Sequence, residues 1–187
     1  SSYEEVKSEF RPFIYLANKI LDSNQNVGGL EITINSDIPV GVGLGSSSAC
    51  CVAATASISG LFNKLSREEI INLAIEAEKT IFADTSGADP TVCTYGGIIE
   101  YPSIKKIDNT FDLNLVIANS MIPHSTKRSV EKVSKFKENN EVRFSQLCEL
   151  ETKLIDGIIL DMKNNDAIAL GLKMSENQKY LEEIQVS

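Results

Sequence analysis

The chain has 187 residues, 42% of them apolar and 24% charged, with a formal net charge of −8. That balance suits one good-sized globular domain or two small ones and argues against nucleic acid, which is held through basic patches. No run of 18 uncharged apolar residues occurs, so no membrane span is expected, and residues 1–10 lack the basic-then-apolar pattern of an export signal.

Residues 7–22 place Phe10, Phe13, Ile14, Leu16, Ala17, Ile20 and Leu21 at helical spacing, with Pro12 near the start. After a turn cluster at 24–29, LEITINSD (30–37) alternates Leu30, Ile32 and Ile34 against Glu31, Thr33 and Asn35, which predicts a half-buried strand. A glycine loop follows. Residues 46–60 are apolar nearly all round, so this helix should be buried on most sides. Ser66 and Glu69 form a capping box opening a helix over 66–82, with Ile70, Ile71, Ala74, Ala77 and Ile81 inward. A loop with Thr85, Ser86, Gly87 and Pro90 comes next, then short strands at 96–101 and 113–120.

Beyond Pro123 the pattern is helical: 125–137, 142–163 and 166–184. The middle helix carries Phe144, Leu147, Cys148, Leu154, Ile155, Ile158 and Ile159 on one face. Lys127, Arg128, Lys132 and Lys135 read as a solvated face. The change of character predicts two domains, 1–110 and 111–187, with a boundary near Asn109 and Thr110.

Cys50, Cys51, Cys93 and Cys148 contain no CxxC pair, which is wrong for zinc, and read as reduced core cysteines in a cytosolic protein. His124 is the only histidine, so a Ser-His-Asp site would rest on it alone.

The loop PVGVGLGSSSAC (39–50) admits three readings. A dinucleotide fingerprint needs a third glycine where Ser46 stands and an acid where Asn63 stands. A Walker loop needs a lysine, and no Lys or Arg lies between residues 20 and 63. The third reading is a loop that binds phosphate through its backbone. Gly41, Gly43 and Gly45 would let the main chain approach closely, and the following helix would offer free N–H groups and its positive dipole end. Ser46, Ser47 and Ser48 add hydroxyls there, and serine oxygen can also ligate Mg²⁺.

Magnesium-dependent phosphoryl transfer needs a metal-binding acid and a residue that orients the acceptor hydroxyl. Glu78, near the end of a helix, and Asp89, in a loop flanked by glycine and proline, could supply them, with Asp84 as a competitor. Taken alone, Glu78 reads as a solvated helix residue, whereas Asp89 could equally be an Asx-turn before Pro90.

P-x-G-x-G-L-G-S-S-x-A resembles the second motif of the GHMP kinases, a superfamily of small-molecule kinases. E-x(7)-S-G-x-D-x-x-V-x-T-x-G-G and the later P-x-S-T-K are similar to its mevalonate kinase branch. The resemblance implies an α+β, two-domain fold, with a ribosomal protein S5 domain 2-like N-terminal part and a helical, ferredoxin-like C-terminal part. It implies that Pro39, Gly41, Gly43, Leu44, Gly45, Ser46, Ser47 and Ser48 hold ATP, and that Ser47 and Glu78 ligate Mg²⁺. Asp89 takes the catalytic acid position and Thr126 lies near the acceptor. The implied partners are mevalonate and ATP, in a cytoplasmic enzyme with a homodimer as its candidate assembly. Phosphomevalonate, homoserine or a sugar remain alternative acceptors, and a non-catalytic nucleotide-binding member is another reading. The family's lysine-bearing P-G-K-like segment and its third, glycine-rich motif are not found. The chain therefore reads as an incomplete, central portion that is not expected to turn over alone.

Overall fold

The computed structural model describes residues 7–22, 29–82, 85–108, 113–118 and 126–186, with the side chains of residues 126 and 127 outside that set. The chain divides into two compact units, Ser1–Lys106 and Ile107–Ser187. The boundary expected from the sequence, at Asn109 and Thr110, lies outside the described residues.

In the first unit a 3-10 turn at Ser8–Phe10 leads into α1 (Arg11–Asp22). α2 (Ser46–Gly60) packs against α1, α3 (Arg67–Glu78) and α4 (Ala88–Tyr95). The core joins Leu16 and Ile20 of α1 to Cys51, Val52, Ala54 and Ile58 of α2 and Ala74 and Ala77 of α3. The many small residues at these contacts let the helix axes approach closely. Thr55 and Thr91, also buried, return their hydroxyls to the carbonyls of Cys51 (2.8 Å) and Gly87 (2.7 Å), so neither is left unpaired. The capping box forms as the sequence predicts: Glu69 N–H donates to Ser66 Oγ and Ser66 N–H to the Glu69 carboxyl.

Two expectations change in this unit. α2 is buried on one side only, because Ala53, Ala56 and Ser57 are exposed. Its other side (Ala49, Cys50, Ala53, Ser57) lines a groove of about 570 Å³ with residues 30–38. Residues 30–37 are not a strand, and Ile32 and Ile34 are exposed. Alternation decides which side chains share a face, but a strand also needs a hydrogen-bonded neighbour. Among the described residues none pairs with 30–37. The strand expected at 113–120 fails for the same reason over 113–118, leaving Leu115, Val116 and Ile117 exposed. Among the described residues the sheet has two strands, β1 (Ile98–Glu100) and β2 (Lys105–Ile107). β1 falls within the predicted 96–101, whereas β2 is too short to show a period.

The second unit contains α5 (Thr126–Asn139), α6 (Glu141–Lys163) and α7 (Ala167–Glu183), close to the helices expected. α6 packs against both neighbours, burying Leu147, Leu154 and Met162 of its own and Leu170 of α7. Cys148 and Ile155, expected on the inner face, are exposed. Arg143 grips Glu183 through Nε (2.6 Å) and Nη2 (2.8 Å), and Lys173 reaches Asp161 at 2.5 Å. Arg128, Lys132 and Lys135 are exposed, as a solvated face should be. Among the described residues no helix is long and apolar enough to cross a membrane.

Candidate active site

The glycine loop owes its shape to backbone torsions. Gly41, Gly43 and Gly45 have φ of 78°, 79° and 69°, whereas Val42 and Leu44 are not in the positive-φ region. Residues with Cβ avoid that region, so the alternation needs glycine at each second position. Open space surrounds all three, so their missing side chains avoid strain rather than a neighbouring atom. Alternating hand along a short loop directs successive N–H groups into a concavity suited to anions.

Gly45 is also the N-cap of α2, and no side chain caps that end. The first intrahelical bond is donated by Ala49 to the Gly45 carbonyl (3.0 Å). The N–H groups of Ser46, Ser47 and Ser48 therefore have no acceptor in the helix. The side chains differ in exposure: Ser46 is half-buried, Ser47 exposed and Ser48 buried.

Glu78 is the last residue of α3 and only 3% exposed, so it is not a solvated helix residue. Ser48 Oγ donates to its Oε1, and Thr85 Oγ1 donates to its Oε2 at 2.9 Å. The α3 terminus is thereby tied to the first turn of α2 and to the loop entering α4. Among the described residues no basic side chain pairs with Glu78.

Asp89 lies in the first turn of α4 rather than in a loop, and it is exposed. Gly87, with φ of 80°, is the N-cap of this helix. A Cβ there would come within 2.8 Å of Ile75 Cδ1 and 3.3 Å of the Tyr101 hydroxyl. Tyr101 in turn donates to the Ser86 carbonyl, which pins the approach to α4 against the residues that follow β1. Pro90 is buried, and its missing N–H costs nothing so near a helix start.

Two cysteines register the charge of this region. Burial pushes the Cys51 thiol up to about 12, with Glu78 and then Cys50 adding to the effect. Cys93 is also raised, first by partial desolvation, then by Asp89 and Glu78. Both carboxyl groups thus act on one sulfur of α4. The expectation of four core cysteines holds for Cys51 alone, since Cys50 is half-buried and Cys93 and Cys148 are exposed.

The fold therefore gathers the loop at 39–48, Glu78 and Asp89 within the first unit. Asp84 and His124 lie outside the described residues, as does the Thr126 side chain. Sequence reasoning missed the roles of Ser48 and Thr85. Nothing distinguishes one serine of three, or a threonine seven residues past Glu78, until the helices are packed.

The residues present suit a magnesium ion. The buried Glu78 carboxyl offers hard oxygen ligands, the groups that bond it are the neutral hydroxyls of Ser48 and Thr85, and a carboxylate kept from water needs a cation or equivalent compensation. Magnesium needs only one or two protein carboxylates when phosphates complete its shell. Among the described residues no cluster of three or more His, Cys, Asp or Glu offers an all-protein metal cage.

Residues 12–97 match the family model described as GHMP kinases N terminal domain. The mevalonate kinase of Archaeoglobus fulgidus is 32% identical over 178 residues, covering 94% of this chain and 60% of the relative. That of Pyrococcus horikoshii is 35% identical over 190 residues, covering 98% of this chain and 56% of the relative. The crystal structure of L. major mevalonate kinase in complex with R-mevalonate superposes with a TM-score of 0.69 at 25% identity, covering 95% of this chain and 58% of that one. The chain thus spans little more than half the length of the relatives it matches. With the loop, the two acids and their order along the chain in place, residues 12–97 are similar to the GHMP kinase N-terminal domain, and the likeness to mevalonate kinases runs along nearly all of the chain.

Proposed function

We propose that the complete protein is an ATP-dependent mevalonate kinase that transfers the γ-phosphoryl group to the 5-hydroxyl of mevalonate, for isoprenoid precursor synthesis in the cytoplasm. The observation that carries this reading is the buried Glu78 carboxyl, fixed by hydroxyls and unpaired with any described cation, beside the uncapped start of α2. The similarity to mevalonate kinases supports the choice of acceptor.

In this reading the backbone N–H groups of residues 39–48 hold the ATP phosphates. Ser47 and Glu78 hold Mg²⁺, which supplies charge neutralisation along the phosphates. Asp89, exposed on the first turn of α4, orients the acceptor hydroxyl and takes its proton. The acceptor oxygen bonds to the γ-phosphorus as the bridging bond to ADP breaks. Thr126 contributes on the acceptor side. Neither nucleic acid nor membrane enters this reading, and a second copy of the chain is the candidate dimer partner.

The test is ADP release by the complete protein with Mg·ATP and a panel of R-mevalonate, phosphomevalonate, homoserine and sugars. Turnover with R-mevalonate is expected, with Asp89→Asn lowering kcat roughly 100-fold or more. Turnover of another acceptor instead would refute the assignment of mevalonate. Nucleotide binding with no turnover of any would refute the catalytic reading.

A further inference from the structure

The Glu78 carboxyl is held in an unusual way for a buried acid. Each of its two oxygens receives one hydroxyl, from two different parts of the chain. Ser48, itself only 4% exposed, comes from the first turn of α2. Thr85 comes from the loop that leads to α4, and its Oγ1 also accepts the Gly87 N–H at 3.4 Å. Glu78 is thus linked on one side to the phosphate loop and on the other to the turn that carries Asp89.

We propose that Ser48 and Thr85 are positioning residues that hold Glu78 in its metal-ligating orientation before a cation arrives. The inference rests on the reading of Glu78 as a magnesium ligand. Its physical basis is the choice of donors. A lysine or arginine at either place would pair with the carboxylate and compete with the metal. A hydroxyl fixes the side-chain rotamer yet leaves the charge uncancelled. The carboxylate has about four lone-pair sites, so two hydroxyl bonds leave the others for a cation. Partners of this kind behind a ligand commonly matter almost as much as the ligand. Ser47, exposed one residue earlier, keeps its place as the serine that faces the metal, and the two adjacent serines divide the work.

The experiment uses the complete protein with Mn²⁺ as a paramagnetic probe, titrated in the presence of ATP and followed by electron paramagnetic resonance. ATP affinity without metal and thermal stability are measured alongside. Ser48→Ala and Thr85→Val are each expected to weaken Mn²⁺ binding roughly 10-fold or more, and Thr85→Val, outside the phosphate loop, to leave metal-free ATP affinity unchanged. Ser48→Thr and Thr85→Ser, which restore a hydroxyl, are expected to recover it. Thr85→Val keeps the side-chain volume and decides the matter if Ser48→Ala fails to fold. Mn²⁺ affinity equal to wild type in the folded variants would overturn the positioning role alone. Failure of the wild-type protein to take up Mn²⁺ with ATP would overturn both that role and the reading of Glu78 on which it stands.

Discussion

Cys93 follows Asp89 by one turn of α4, and its thiol lies within the field of that carboxylate. Partial desolvation raises the Cys93 pKa first, and the negative charges of Asp89 and Glu78 raise it further. Thiolate formation adds a negative charge, so each nearby carboxylate opposes it. Replacing Asp89 with Asn removes one opposing charge and lowers the Cys93 pKa. More thiolate is then present at pH 8, and iodoacetamide should label Cys93 faster in Asp89→Asn than in wild type. Peptide mass spectrometry over a pH series reads this directly, and an unchanged profile would contradict the placement of Asp89 beside Cys93.

Cys51 should behave in the opposite manner. It is 1% exposed, with a pKa pushed up to about 12. Native protein at pH 8 should leave Cys51 unlabelled while the exposed Cys148 reacts, and denaturant should open it.

Gly87→Ala tests the entry to α4. The residue has φ of 80°, and a methyl group would meet Ile75 Cδ1 at 2.8 Å. The torsional cost alone is about 1–2 kcal/mol. The clash adds to it unless Ile75 turns away. Urea denaturation should show the loss, while Gly60→Ala, with open space and no positive φ, should be neutral or mildly stabilising.

Leu16→Ala empties the centre of the first core. Leu16 is fully buried against α2 and α3 neighbours. A loss of roughly 2–5 kcal/mol is expected in urea denaturation. A loss below that range would mean that the helices collapse around the cavity.

Gly157 and Lys173 should be energetically coupled. A Cβ on Gly157 would stand 2.5 Å from Lys173 Cε, and the same lysine reaches Asp161 at 2.5 Å. The lysine stem is flexible, so the steric cost is avoidable, but moving it breaks the ion pair. Gly157→Ala should therefore destabilise the wild-type protein. In a Lys173→Ala background it should stabilise by about 0.5–1 kcal/mol, because alanine is the better helix former. A double-mutant cycle measures the difference.

The helices were legible because each carries its own signals. Ser66 and Glu69 mark a start without reference to the rest of the chain, and the 3.6-residue period of residues 11–22 and 141–163 survives any packing. The glycine alternation at 41, 43 and 45 likewise declares its torsions locally. These features determine the loop, the helix behind it and the order of the two acids. Strands at 30–37 and 113–118 could not be read in the same way, because alternation does not supply a ladder partner. Tertiary packing alone decided that Glu78 would be buried, that Ser48 of three adjacent serines would meet it, and that Thr85 would close the other side. A hydrogen bond across 30 residues depends on where two helices cross, and local sequence carries no record of that crossing.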